Sequence, residues 1–241
     1  MKKIVAMGAA AALALTLAGC SGGTADQQQS GEGAPSVSQD AENAAPAKEN
    51  KLTVTDSGWS VDDQGYVHYG IIIKNEGSQG ALFPTIKVTG KDEGGNVVSS
   101  DQQTLMSLRP DQEVAWGGQA GNGTAPATVE FELSVGSNSW QDSDANIDMF
   151  KIDGVSAQDS GYGTVNFVGE ITSLLTDTDM DQVAVSIILR NGDGAIVGGY
   201  TGFADNLAAG ATTSFDVLGY GVPEYVDFEA WAQPWMVASQ K

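Results

Sequence analysis

His68 is the single imidazole of the 241-residue chain and Cys20 its single thiol, and these two counts bound the chemistry that the sequence can carry. A Ser-His-Asp relay would have to use His68, which stands in the strand-like run Tyr66-Val67-His68-Tyr69-Gly70. No Gly-x-Ser-x-Gly elbow presents a serine, and no lysine lies three places after a serine, so two common serine-nucleophile signatures are missing. Neither a Gly-x-x-x-x-Gly-Lys-Ser/Thr loop nor a Gly-x-Gly-x-x-Gly turn before a helix occurs, which removes the usual phosphate cradles. One His and one Cys also exclude a zinc site built on nitrogen and sulfur, and a disulfide framework. Carboxylate pairs for glycoside hydrolysis arise by chance among 31 acidic residues and point nowhere. The chain reads as a protein without catalytic residues, with His68 an ordinary strand histidine.

Two kinds of binding chemistry remain. Calcium needs only carboxylate and carbonyl oxygen, and the run Asp142-Ser143-Asp144-Ala145-Asn146-Ile147-Asp148 sets Asp142, Asp144, Asn146 and Asp148 at alternate positions, as at the start of a calcium loop. It has Ile147 where an EF-hand turn requires Gly, and no Glu at the twelfth position; Asp177-Thr178-Asp179-Met180-Asp181 is a second candidate with the same gaps. Both are equally readable as solvated acidic loops, and no other cofactor is implied. Aromatic residues supply the alternative. In Val226-Asp227-Phe228-Glu229-Ala230-Trp231, Val226 and Phe228 alternate inward and Trp231 shares a face with Asp227 and Glu229. With Trp235, Tyr220 and Tyr225 it could stack on a sugar ring or anchor a protein, or else cover a sheet edge or pack on a neighbouring domain. Trp59 and Trp116 read as core.

The amino terminus addresses location. Met1-Lys2-Lys3 precedes an apolar run from Ile4 to Leu17, a signal-peptide pattern too short for a comfortable membrane span. Leu17-Ala18-Gly19-Cys20 resembles a bacterial lipobox, which implies cleavage after residue 19 and lipidation of Cys20; two acyl chains hold a protein stably on a bilayer. Residues 20–50 then form a tether of Ser, Gly, Gln, Ala and Pro, unable to bury enough apolar surface to order itself. As a flexible coil it spans about 30 Å, and roughly 100 Å at full extension. The formal net charge of −20 becomes −22 when residues 1–19 leave with two lysines and no acid. That excludes a basic nucleic-acid binder, because phosphate neutralisation needs Lys and Arg.

Beyond residue 50 the elements that must position any site are strands. Period-two alternation marks Leu52-Thr53-Val54, Thr85-Ile86-Lys87-Val88-Thr89 and Val129-Glu130-Phe131-Glu132-Leu133-Ser134-Val135, and no capped amphipathic helix appears. The chain repeats itself: Gly70 aligns with Gly169, Gly95 with Gly194, Leu108 with Leu207 and Trp116 with Phe215, all at an offset of 99, with the last strands matching at 97. The hairpin loops Asp92-Glu93-Gly94-Gly95-Asn96 and Asn191-Gly192-Asp193-Gly194-Ala195 fall in the same register. The expectation is an all-β chain of two tandem immunoglobulin-like β-sandwich domains, residues 51–138 and 149–238, joined by an acidic linker at 139–148; a small open barrel is the competing geometry.

Val88-Thr89-Gly90-Lys91-Asp92 with Gly95 and Leu108-Arg109-Pro110-Asp111, and Ile187-Ile188-Leu189-Arg190-Asn191 with Gly194 and Leu207-Ala208-Ala209-Gly210, resemble the FxLYD-type domains of bacterial lipoproteins and surface proteins. Both copies carry a base at the aromatic position of that motif, and the first has Gly90 in place of Leu. The resemblance implies a β-sandwich and brings no catalytic residues with it. The function expected is a non-enzymatic surface lipoprotein, a binding or spacer module held to the membrane through Cys20 on its extracytoplasmic face, with an envelope protein or glycan as partner. The other reading is a receptor or accessory subunit that captures a cation or carbohydrate.

Overall fold

The computed structural model describes residues 49–238, which fall within one compact unit and contain only antiparallel β-sheet. Cys20 and most of the expected tether lie outside the described residues. The first half of the chain forms β1 (Leu52–Val61), β2 (Val67–Asn75), β3 (Gly80–Leu82), β4 (Thr85–Lys91), β5 (Val97–Thr104), β6 (Ser107–Leu108), β7 (Glu113–Ala120), β8 (Thr128–Ser134) and β9 (Trp140–Gln141). The second forms β10 (Phe150–Gly161), β11 (Thr164–Ser173), β12 (Met180–Arg190), β13 (Ile196–Leu207), β14 (Thr212–Gly219) and β15 (Asp227–Val237).

Each half is a sandwich of two three-stranded sheets with matching strand order, β1-β2-β7 over β5-β4-β8 in the first and β10-β11-β14 over β13-β12-β15 in the second. A small sheet β6-β3-β9 is added to the first half, so that Trp140 and Gln141, in the expected linker, pair with Ala81 and Gly80. Alternation drives each sandwich. Val67, Tyr69, Ile71 and Ile73 of β2 face Ile86 and Val88 of β4 and Trp116 of β7, while Phe167 and Ile171 of β11 face Val183, Val185, Ile187 and Leu189 of β12.

The structure corrects the repeat register in two places. Ile71 lies opposite Trp116, whereas Gly169 lies opposite Phe215, so β2 and β11 correspond at an offset of 98 while β7 and β14 correspond at 99. Gly70 and Gly169, aligned by identity, point to opposite faces: a Cβ on Gly70 would meet the second half, and one on Gly169 would meet Phe215 within its own half. At the end of each half, Val88 pairs with Phe131 and Ile187 with Ala230, so the last strands correspond at 99 and not 97. Lys91 bonds Glu130 as Arg190 bonds Glu229, in the same register.

The two halves are packed sheet against sheet. Strand β2 is buried at every position from Val67 to Ile73, and β12 from Val183 to Leu189, because each strand is covered on both faces. The seam is apolar where Ile72 and Ala115 meet Ile188 and Ile196, with Trp231 laid against them. Its distinguishing feature is a row of three glycines. Gly58 pairs with Gly70 and Gly70 with Gly117, so the row crosses β1, β2 and β7 in register and forms a trough in the sheet. Strand β13 lies in that trough. A Cβ on Gly58 would stand 1.9 Å from the Ile196 carbonyl oxygen, and one on Gly117 would stand 2.1 Å from the Tyr200 nitrogen. Only residues without a side chain permit this approach of backbone to backbone.

Candidate functional site

Two of the buried polar side chains, His68 and Ser186, belong to the strands of this seam, whereas Asn75 and Gln112 tie the turns at the other end of β2. His68 is 1% exposed and its Nε2 lies 2.9 Å from Asp62 Oδ2, with the Tyr200 ring 5.6 Å away between centroids. Asp62 is placed by a turn. Its Oδ1 accepts from the Gln64 and Tyr66 amides, which closes the β1–β2 hairpin and leaves Oδ2 for the imidazole. Burial opposes ionisation of Asp62, but the bond to His68 and those from the two amides outweigh it and hold the carboxyl below its ordinary value. Burial pushes the Tyr69 phenol up to about 12, and burial with the Asp62 charge raises Tyr200 further.

The imidazole of this His–carboxylate pair is buried, while Asp62 borders a cleft at the loop end. Ser60 is the cross-strand partner of His68, yet neither Ser60 Oγ nor His68 Nδ1 has a hydrogen-bond partner. A serine nucleophile and its base need to be bonded to one another, and Ser60 Oγ and the imidazole are not. The pair has a structural consequence. It fixes the β1–β2 turn against the second half, where Gly221 (φ 59°) allows close approach; a Cβ there would come 2.9 Å from His68 Nε2.

The four aromatic residues expected to form a binding surface are divided by the fold. Trp231 and Trp235 belong to β15 and face the first half: Trp231 is half-buried with its Nε1 donating to Glu229 at 3.2 Å, and Trp235 stacks on Trp116 at 5.4 Å. Tyr220 and Tyr225 belong to the β14–β15 loop. Tyr225 packs on Phe167 and Phe228, while Tyr220 is 60% exposed. Val226, expected to point inward, is 75% exposed because it precedes the first residue of β15.

At that loop end two clefts open. One, of about 670 Å³, is lined by Asp159, Asn191, Glu224 and Tyr225 among others, and the second, of about 700 Å³, by Asp62, Asp63, Gln119 and Tyr220. Tyr162 borders both. The D/N-x-x-G turn that delivers Asp62 and Asn191 was present in the sequence as Asp62-Asp63-Gln64-Gly65, a third copy of the two recognised hairpin loops. Tyr162 carried a weaker signal, an aromatic residue between Gly161 and Gly163.

The acidic candidates for calcium are disposed as follows. Asp142, Asp144, Asn146 and Asp148 lie in an exposed segment without secondary structure, where Asp142 accepts from Gln79 at 3.1 Å. In the second loop Asp179 accepts from the Ala209 amide at 2.8 Å and Asp177 from the Thr178 hydroxyl at 3.1 Å. Among the described residues no group of three or more His, Cys, Asp and Glu side chains converges as metal ligands would.

The fold therefore defines an all-β protein of two sandwich halves fused through a glycine-lined seam. No family model matches the chain, and no curated protein matches it. Among the described residues no helix is long and apolar enough to cross a membrane.

Proposed function

We propose that this protein is a lipid-tethered envelope protein of bacterial type whose two sandwich halves, related to the FxLYD group, act together as one rigid, non-enzymatic binding or spacer module. The observation that carries the reading is the glycine seam: β13 is seated backbone to backbone on Gly58, Gly70 and Gly117, so the halves move as one body. Reach then comes from the tether and stiffness from the sandwich pair. The single imidazole is consumed by the seam, which supports a non-catalytic role. The acidic surface discourages close contact with anionic polymers within a Debye length of about 8 Å. Replacing Cys20 by Ser tests the anchor. The variant should move from the membrane to the soluble fraction, and retention in the membrane would refute lipidation. The receptor reading is favoured by the two clefts, which give the loop end the size of a ligand site.

A further inference from the structure

Tyr162 is 106% exposed, more than any other large apolar residue described. It occupies the two-residue β10–β11 hairpin with Gly163, at φ 55° and 70° respectively. Positive φ at both central positions is the requirement of a type I′ turn, which Asn and Gly meet without strain and a ring-bearing residue does not. The fold thus holds a phenol ring in water, on a strained backbone, with no burial in return.

The two clefts lie on either side of this ring and share Tyr162, Gly163, Val222 and Pro223 as a common wall. One adds Glu224, Asn191 and Tyr225, and the other Asp63, Gln64 and Tyr220. Each therefore offers a carboxylate, a primary amide and a second phenol ring. Neither lining includes a Lys, Arg or His, so a phosphate, sulfate or carboxylate ligand would find no counter-charge. The carboxylates nearest the turns are already committed: Asp159 accepts from the Gly161 amide at 2.7 Å, and Asp62 is shared between its own turn and His68. One uncommitted carboxylate per cleft suits paired hydroxyls better than a multiply charged cation. The Asn191 oxygen already accepts from the Asp193 and Ala195 amides, which leaves its NH2 to donate; the Gln64 amide donates and accepts, carboxylates accept, and an aromatic face covers the C–H side of a sugar ring.

From this arrangement we infer that the two clefts are adjoining subsites for a neutral oligosaccharide that crosses Tyr162, with the phenol ring stacked on one sugar. The inference concerns the folded part alone and stands whether or not Cys20 carries lipid, so failure of the fractionation test leaves it intact. The test is calorimetric titration of the full chain, in a detergent without sugar, with short cello-, chito- and malto-oligosaccharides and with trilysine, each at low and high salt. At least one saccharide series should bind with little change between the two salts. Tyr162→Ala should weaken it about tenfold, Glu224→Gln several-fold, and Tyr162→Phe little, with unfolding temperatures unchanged. Absence of binding by all three series at millimolar concentration would overturn the proposal. So would saccharide binding indifferent to Tyr162→Ala, or salt-sensitive binding of trilysine alone, which would assign the clefts to a basic peptide.

Discussion

The hydroxyl of Thr201 closes both open backbone groups of Gly117: it donates to the Gly117 carbonyl at 2.9 Å and accepts from the Gly117 amide at 3.1 Å. Ser186 completes the set at 2.8 Å. Two edge strands from different halves, β7 and β13, are thereby joined through one side chain, at the point where the glycine row allows their backbones to touch.

Gly117→Ala should be among the most damaging single changes in the protein. The new Cβ would meet only backbone, 2.1 Å from the Tyr200 nitrogen and 2.3 Å from the Gly199 carbonyl carbon, so no rotamer change relieves it. A loss of at least about 3 kcal/mol is expected. Gly192→Ala is the control, since its Cβ would meet only Val226 Cγ2 at 3.9 Å. Equal denaturant midpoints for the two variants would contradict the close approach.

Thr201→Val keeps shape and removes the donor and acceptor. Gly117 would then keep an unpaired amide and carbonyl in the seam, and a cost of about 1–3 kcal/mol is expected. Calorimetry of the parent protein should show one transition with matching calorimetric and van't Hoff enthalpies, because the halves share this bond and the trough beneath it. Two resolved transitions would mean that the halves unfold separately.

Acid should weaken the seam through Asp62. Its folded carboxyl titrates below the ordinary value of 3.8, so the stability it contributes is whole above 3.8 and is lost as pH falls through the folded value. Asp62→Asn should be less stable than the parent at neutral pH, with the gap closing below about pH 4. A gap that stays constant from neutral pH down to pH 3 would exclude this role.

Alkali acts through the buried phenols. Tyr69 is raised from 10.0 to about 12, and Tyr200 is raised as well, so both remain protonated in the folded protein after the unfolded chain has begun to ionise. Stability from these two groups is whole below pH 10 and falls as pH climbs towards the folded values. Phenolate absorbance should show Tyr69 and Tyr200 ionising only as the protein unfolds, and Tyr69→Phe should flatten part of the pH dependence.

Arg190 links three groups: Glu229 through Nε, and Asp56 at 2.7 Å and the Gly194 carbonyl at 2.8 Å through one terminal nitrogen. Arg190→Lys should keep the bond within β12–β15, as Lys91 does with Glu130 at 2.6 Å, and lose the link to Asp56. The expected cost is up to about 1 kcal/mol for a partly exposed pair. A double-mutant cycle with Asp56→Ala measures it.

The strands were legible in the sequence wherever one face meets water. Thr85–Thr89 and Val129–Ser134 alternate because β4 and β8 cover one core only, and both lie where the alternation puts them. The seam left a different mark, the unbroken apolar runs Ile71-Ile72-Ile73 and Val183-Ala184-Val185, which signal strands covered twice without naming what covers them. The glycine row was invisible along the chain, because Gly58, Gly70 and Gly117 become neighbours only through strand register. For the same reason Trp231 could be assigned a face but not a neighbour. Asp62 was within reach, since its turn repeats the pattern of Asp92 and Asn191, but its bond to His68 depends on how the hairpin is seated.

The trough exists in one copy of the repeat. In β10, β11 and β14 the in-register row corresponding to Gly58, Gly70 and Gly117 is Ser156, Val168 and Asp216, so each position that is bare in the trough carries a side chain there. At the other end, β5, β4 and β8 carry Val97, Thr89 and Glu132 where the seam has Ile196, Ile188 and Trp231. The glycine-row contact that could in principle continue head to tail from chain to chain is therefore encoded once in this chain, and neither outer face repeats its half of it.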